Sequence, residues 1–205
     1  NFFIEKDQRI QKIYYYAKEK YNKANLPQHN WEHVLRDLYR ALIIAETEKG
    51  VNHSILIPAV ILHDIGVSED VYQKHAEKGV EIINRDLPKM GYSKKEIDKI
   101  AQCVLHHKGT IKPESKEGQI LFDADHLEKS GIGATFATYR AQLEIEKPLI
   151  EWVYPWTYQN ADFFTKKAKE ISGNGFSEMD KHFIAVKKSW EKRKDWIVPE
   201  KDLWD

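Results

Sequence analysis

The sequence predicts an all-α bundle, and three observations carry that reading. Apolar residues recur at helical spacing, as in Val34, Leu35, Leu38, Leu42 and Ala45. Cap and stop residues punctuate these stretches, with Asn30, Ser54 and Ser93 at starts and Gly50, Gly91 and Gly109 at ends. No alternating strand pattern and no Asn-Gly hairpin occurs. The stretches amount to roughly seven to nine helices.

In chain order, Ile4–Ala24 reads as a helix with Ile10, Ile13, Tyr14 and Ala17 on one side, stopped by Asn25-Leu26-Pro27. Asn30 caps a helix from Trp31 to Lys49. Ser54 caps the next, whose run Ile55–Leu62 is apolar nearly all round and is expected in the middle of the core. Pro58 is placed in its first turn, where a missing N–H costs nothing. A helix from about Lys74 to Arg85 follows, and Pro88–Gly91 breaks it. Ser93 and Glu96 form a capping box opening a helix to His107. Thr110–Gly118 reads as a loop, Ile120–Lys129 as a helix, and Gly131–Gly133 as the lead into a helix to Lys147. Residues 148–160 are irregular and aromatic. Ala161–Ile171 and Ser177–Asp195 close the chain as two helices.

The 205 residues suit one domain, 1–205, with a motif core at about 25–140 and helices at 160–195 packed on it. Thirty-two basic residues balance thirty-two acidic ones, which gives no basic footprint for a nucleic-acid partner. No apolar run reaches transmembrane length and no signal peptide is seen, so no membrane partner is expected. A single cysteine, Cys103, excludes an internal disulfide and a cysteine metal cluster and fits a cytoplasmic setting. Its simplest role is apolar packing.

Chemistry concentrates in the histidines, most of the nine falling between His29 and His126. His63 and Asp64 follow directly on the apolar helix, and a buried His-Asp pair must be paired or bind metal. His33, His75, His106, His107 and Asp125 also sit on or at the ends of helices beside core-facing apolar residues. Metal sites in bundles are built from such inward side chains on facing helices. Imidazole with carboxylate suits a first-row divalent ion. For any single histidine a surface or core role is the better reading; the cluster as a whole is harder to dismiss.

The order H…HD…D, formed by His33, His63-Asp64 and Asp125, resembles the HD-domain metal-dependent phosphohydrolases. His29-Asn30-Trp31-Glu32-His33-Val34 is similar to the family's H-D-x-x-H-V, with Asn30 where Asp is usual. Leu62–Gly66 matches L-H-D-I-G, His75–Gly79 matches H-A-x-x-G, and Asp123–Leu127 matches D-A-D-R-L with His126 for Arg. The resemblance implies an HD-type helical domain in which His33, His63, Asp64 and Asp125 bind a first metal. It implies a second metal, in some members, bridged by Asp64 and held by His75 and by His106 or His107. Asp123 is then expected to orient a ligating histidine. The cofactor would be one or two divalent ions, drawn from Mn, Fe, Mg, Ni, Co and Zn.

On that reading Asp64 bridges or orients the attacking water and His107 joins it in catalysis or meets substrate. His29, Arg36, Lys108 and Arg140 are the candidates for grasping a small phosphorylated substrate, although a solvated charge is the plainer role of each cation. The aromatic segment 152–158 stacks a base, forms a lid, or simply packs, and a homodimer is compatible with it. A metal-dependent phosphohydrolase of a phosphate mono- or diester, such as a nucleotide, leads. An HD-fold di-iron oxygenase and a non-catalytic ligand-binding module are the alternatives.

Overall fold

The computed structural model describes residues 7–69, 73–131, 134–144 and 162–192. Among them are nine α-helices and two short 3-10 segments, and no strand. The helices are α1 Gln8–Ala24, α2 Trp31–Ala45, α3 His53–Leu62, α4 His75–Asp86, α5 Lys94–His106, α6 Lys116–Leu127, α7 Ala134–Glu144, α8 Lys166–Ser172 and α9 Gly175–Glu191. The 3-10 segments are Ile65–Glu69 and Leu87–Met90. The all-α class is therefore the observed one. The aromatic segment 152–158 lies outside the described residues, as does residue 147.

Helix α3 is the axis of the bundle. Every residue from Ile55 to Leu62 is buried, and α1, α2, α5 and α6 pack around it. A helix that is apolar on all sides finds its minimum only when enclosed in this way. The surrounding helices are amphipathic and turn one face inward: Ile10, Ile13, Ala17 and Tyr21 from α1, Val34, Leu38, Ala41 and Ile44 from α2, Ile97, Ile100 and Val104 from α5. Cys103 is buried among these residues, as packing alone requires.

Several ends differ from expectation for local reasons. Asn52, rather than Ser54, caps α3, its side chain accepting from the Ser54 N–H at 3.0 Å. The helix thus starts earlier, and Pro58 stands at its sixth residue rather than in its first turn. Helix α2 stops at Ala45, where the Thr47 and Glu48 N–H groups turn back to Ile44 and Ala45 carbonyls at 3.0 and 3.1 Å. Helix α6 begins at Lys116 because the Ser115 hydroxyl accepts from the Gly118 N–H at 3.0 Å. Gly118 reads as a loop signal, yet it is helical: a Cβ there would come within 3.1 Å of Pro113. The Ser93–Glu96 capping box opens α5 with both of its bonds present.

Two glycines set the approach of α4. A Cβ on Gly66 would lie 2.1 Å from the His75 carbonyl oxygen. A Cβ on Gly79 would lie 3.1 Å from Val104 on α5. Backbone therefore packs on backbone where the 3-10 segment after α3 meets the first turn of α4. That contact brings His75 back to the end of α3 over only twelve residues from His63.

Candidate metal centre

The C-terminal end of α3 presents His63 and Asp64 to side chains from α2, α4, α5 and α6. The ring Nδ1 of His63 donates to the Val60 carbonyl at 2.8 Å. That of His107 donates to the Val104 carbonyl at 2.6 Å. The Nδ1 of His33 lies 2.9 Å from Glu128 Oε2, and an ionised carboxylate only accepts, so this ring too carries its proton on Nδ1. All three rings therefore turn Nε2 into one buried space, each fixed by a partner on its other nitrogen.

Two groups of donors result. In the first, His33 Nε2 lies 3.2 Å from His63 Nε2, 3.2 Å from Asp64 Oδ2, 3.2 Å from Asp37 Oδ2 and 3.8 Å from Asp125 Oδ1. His63 Nε2 lies 3.1 Å from Asp64 Oδ2. In the second, Asp64 Oδ1 lies 3.2 Å from His75 Nε2 and 3.3 Å from His107 Nε2, and these two nitrogens are 3.2 Å apart. The Asp64 carboxylate thus gives one oxygen to each group. All of these residues are buried.

This arrangement fits a bound cation on its own chemistry. With Nδ1 committed to a carbonyl or a carboxylate, a neutral ring points a lone pair at its neighbours. Lone pairs of nitrogen and carboxylate oxygen about 3 Å apart repel unless a proton or a metal ion stands between them. The donors are nitrogen and oxygen only, the set preferred by first-row divalent metals and Mg²⁺. Donor atoms of His33, Asp37, His63 and Asp125, and again of Asp64, His75 and His107, lie close enough together to hold an ion each.

Electrostatics agree with the geometry. Burial opposes charge on His63, but Asp64 beside it raises the ring to about 9. His33 is likewise raised, against burial, by Asp37, Asp64 and Glu128. Burial opposes ionisation of Asp64 too, yet His63, His29 and His107 hold its carboxyl well below the usual range. Burial lowers His107, so it stays neutral. Burial pushes Asp37 up to about 6, with His33 the main opposing charge.

The other sequence candidates fall out unevenly. His106 is half-buried and belongs to neither group of donors; adjacent residues on a helix diverge by about 100°, and here His107 takes the inward direction. His29 stands at the edge, its Nε2 3.9 Å from Asp64 Oδ2, while its Nδ1 and backbone N–H bind Glu144 of α7. Arg36 is engaged by Glu128, its Nε 3.0 Å from Oε1. Arg140 reaches Gln28 at 3.0 Å. Lys108 donates to the Gln73 carbonyl at 2.9 Å. Asp123 does not orient a histidine: it accepts from the Phe164 and Thr165 N–H groups at 2.9 and 2.8 Å and ties the start of α8 to α6. The orienting role falls to Glu128 and to the two backbone carbonyls.

Sequence reasoning passed over Asp37, Arg40, Glu128 and Glu144. Asp37 had a signal. It lies on the buried stripe of α2 that runs through Val34, Leu38 and Ala41, where a charge is out of place unless matched. Arg40 matches one oxygen, its guanidinium 2.7 Å from Asp37 Oδ1 and 3.0 Å from Glu128 Oε2.

Residues 30–130 match the model of the HD domain. The chain is an HD-domain protein. Among solved structures it is similar to a predicted HD superfamily hydrolase from an uncultured Thermotogales bacterium, at 26% identity and a TM-score of 0.60 over 88% of this chain and 92% of that one. A Lactobacillus plantarum structural-genomics protein aligns with a TM-score of 0.70 at 20% identity, over 91% and 98% of the two chains. Bacillus subtilis YpgQ, solved in complex with ADP, aligns at 0.62 and 20% identity over 89% and 95%. No curated protein matches the chain. The His-Asp-Asp constellation of this HD-domain protein lies inside the matched region. No described helix is long and apolar enough to cross a membrane.

Proposed function

We propose that this HD-domain protein is a metal-dependent phosphohydrolase acting on a small phosphate mono- or diester. The observation that carries the reading is the Asp64 carboxylate, which offers one oxygen to each of two buried donor groups 3.1–3.3 Å away. In this reading His33, His63, Asp64 and Asp125 would hold one divalent ion and Asp64, His75 and His107 the other. Such ions lower the pKa of a bound water toward neutrality and neutralise the oxygens of a phosphate.

The chain's own residues supply the rest. Glu128, Val60 and Val104 hold three rings with Nε2 turned inward, so the rings need not swing when an ion arrives and displaces any proton there. Lys129 binds Asp125 Oδ2 at 2.9 Å and leaves Oδ1 for the cluster. His29, with Nδ1 bound to Glu144, points Nε2 toward Asp64 and is placed to touch a phosphate oxygen or exchange a proton with it. Arg36, taken up by Glu128, steadies His33 in preference to grasping substrate. Balanced charge supports a small-molecule substrate over a nucleic acid, and the ADP complex of YpgQ, alike in fold, makes nucleotides the first class to try.

The test is metal content of protein purified without added metal, followed by phosphate release from a panel of mono- and diesters with Mn²⁺ after chelator stripping. Release that needs the metal supports the proposal. Tight metal binding with no release from any ester would overturn it. Dioxygen uptake by the iron-loaded protein, without phosphate release, would favour the oxygenase reading, which the same donor set also suits.

A further inference from the structure

Asp37 has no part in the H…HD…D pattern, yet it is completely buried. Its two oxygens have different fates. Oδ1 is bound by Arg40 at 2.7 Å. Oδ2 has no hydrogen-bond donor. It is aimed into the first donor group, 3.2 Å from His33 Nε2 and 3.6 Å from His63 Nε2. Since the Nδ1 protons of those rings are spent on Glu128 and the Val60 carbonyl, neither ring has a proton left for Asp37 once its Nε2 ligates a metal. A buried carboxylate oxygen would then face only other lone pairs, an arrangement a protein does not keep without a cation.

We propose that Asp37 is a direct ligand of the first metal ion, in addition to His33, His63, Asp64 and Asp125. The separations suit that role. Neighbouring donors on an octahedral ion with bonds of about 2.1 Å stand roughly 3.0 Å apart, and Asp37 Oδ2 sits 3.2 Å from His33 Nε2. Arg40 fixes the carboxylate so that Oδ2 alone faces inward. Three carboxylate oxygens with two imidazoles make an oxygen-rich set, which suits a hard ion such as Mn²⁺ better than Zn²⁺. Five protein donors would leave an octahedral first ion one open position, against three on an ion held by Asp64, His75 and His107. This inference rests on the metal-bound reading above, but on no turnover.

The experiment is a crystal structure of the wild-type protein loaded with Mn²⁺, together with calorimetric Mn²⁺ titration of chelator-stripped wild type, Asp37→Asn and His107→Ala. Asn keeps an oxygen for Arg40 and turns an NH₂ group, which cannot ligate, toward the ion. Asp37 Oδ2 within about 2.3 Å of Mn²⁺ is expected. Asp37→Asn is expected to weaken one of two Mn²⁺ equivalents by about a hundredfold or more. That equivalent should be the one that survives in His107→Ala. An Asp37 oxygen more than about 3 Å, well beyond bonding distance, from an ion held by His33 and His63 would overturn the proposal, as would unchanged affinity in a folded Asp37→Asn. The wild-type structure decides the matter if that variant does not fold. Mn²⁺ on Asp37 without phosphoester turnover would leave this ligand in place and remove the hydrolase reading; turnover with Asp37 outside the coordination shell would do the reverse.

Discussion

His33 on α2 and Glu128 just beyond α6 meet through a 2.9 Å bond between Nδ1 and Oε2 across ninety-five residues of sequence. Glu128 also receives Arg40 at 3.0 Å on the same oxygen and Arg36 on the other. One buried carboxylate thus fixes the His33 ring and the two arginines that flank it. Glu128→Gln keeps the size but replaces one accepting oxygen with a donor that faces either the His33 N–H or an arginine. Loss of an orienting partner of this kind costs about 10–100-fold in metal affinity. Mn²⁺ titration of the stripped variant should show that loss in one equivalent, with helical circular dichroism retained. Unchanged affinity would mean that His33 is held by packing alone.

The approach of α4 rests on Gly66, and this can be tested apart from the chemistry. A methyl group there would lie 2.1 Å from the His75 carbonyl oxygen and 2.9 Å from the Gly79 nitrogen. No side chain is available to yield, so Gly66→Ala must push the first turn of α4 away from α3. Overpacking of this sort costs about 1–3 kcal/mol. His75 moves with that turn, away from Asp64 Oδ1. Urea unfolding should show the loss of stability, and Mn²⁺ titration should show one equivalent weakened while the other persists. A variant as stable as wild type with both equivalents intact would show that the close approach is not what places His75.

Much of this was legible in the sequence because it is local. The all-round apolar run Ile55–Leu62 could only be a central helix, and the polar pair straight after it could only be matched or metal-bound. The Ser93–Glu96 box and the Asn30 cap are contacts over three residues, and both are present. What the sequence hid depends on distant pairing. Nothing within a few residues of Glu128 reveals that it will meet His33, and Asp123 has the same spacing from its neighbours whether it orients a histidine or anchors Thr165. The choice between His106 and His107 needed the exit direction of α5, which one residue of phase decides. Pro58 misled because the start of α3 was set by Asn52, which the apolar pattern does not mark.

Metal and protons compete for the same nitrogens, which fixes the direction of a pH effect. His63 is raised from its ordinary 6.5 to about 9 in the fold by Asp64, against burial. A group with a raised folded value stabilises fully below its unfolded value and loses that contribution as pH climbs through the folded one. The stripped protein should therefore lose stability between about pH 6.5 and 9. A bound ion replaces the proton and gains affinity over the same range. The melting temperature gap between Mn²⁺-loaded and stripped protein should widen from pH 6 to pH 9. Calorimetry in buffers of different ionisation enthalpy should register proton release on binding near neutral pH. A gap that narrows with rising pH would show that His63 carries no proton to displace.

Asp64 decides whether the two donor groups work as one centre. Its Oδ2 faces His33 and His63 at 3.2 and 3.1 Å, and its Oδ1 faces His75 and His107 at 3.2 and 3.3 Å. Asp64→Asn leaves the shape but removes the charge, and its NH₂ group must fall to one group or the other. Either choice weakens one ion outright and the other through the lost charge. Phosphoesterase rate at saturating Mn²⁺ should fall by at least about a hundredfold, the scale set by loss of a positioned acid–base group. Circular dichroism should remain helical, because Ile55–Leu62 and the faces around them form the core without the carboxylate. His106→Ala is the control: its side chain belongs to neither group, so rate and Mn²⁺ stoichiometry should stay close to wild type. Near wild-type turnover in a folded Asp64→Asn would take Asp64 out of the mechanism and leave it as a partner for His63. A large loss in His106→Ala, with His107→Ala unaffected, would reverse the orientation of α5 at the site and with it the assignment of the second ion.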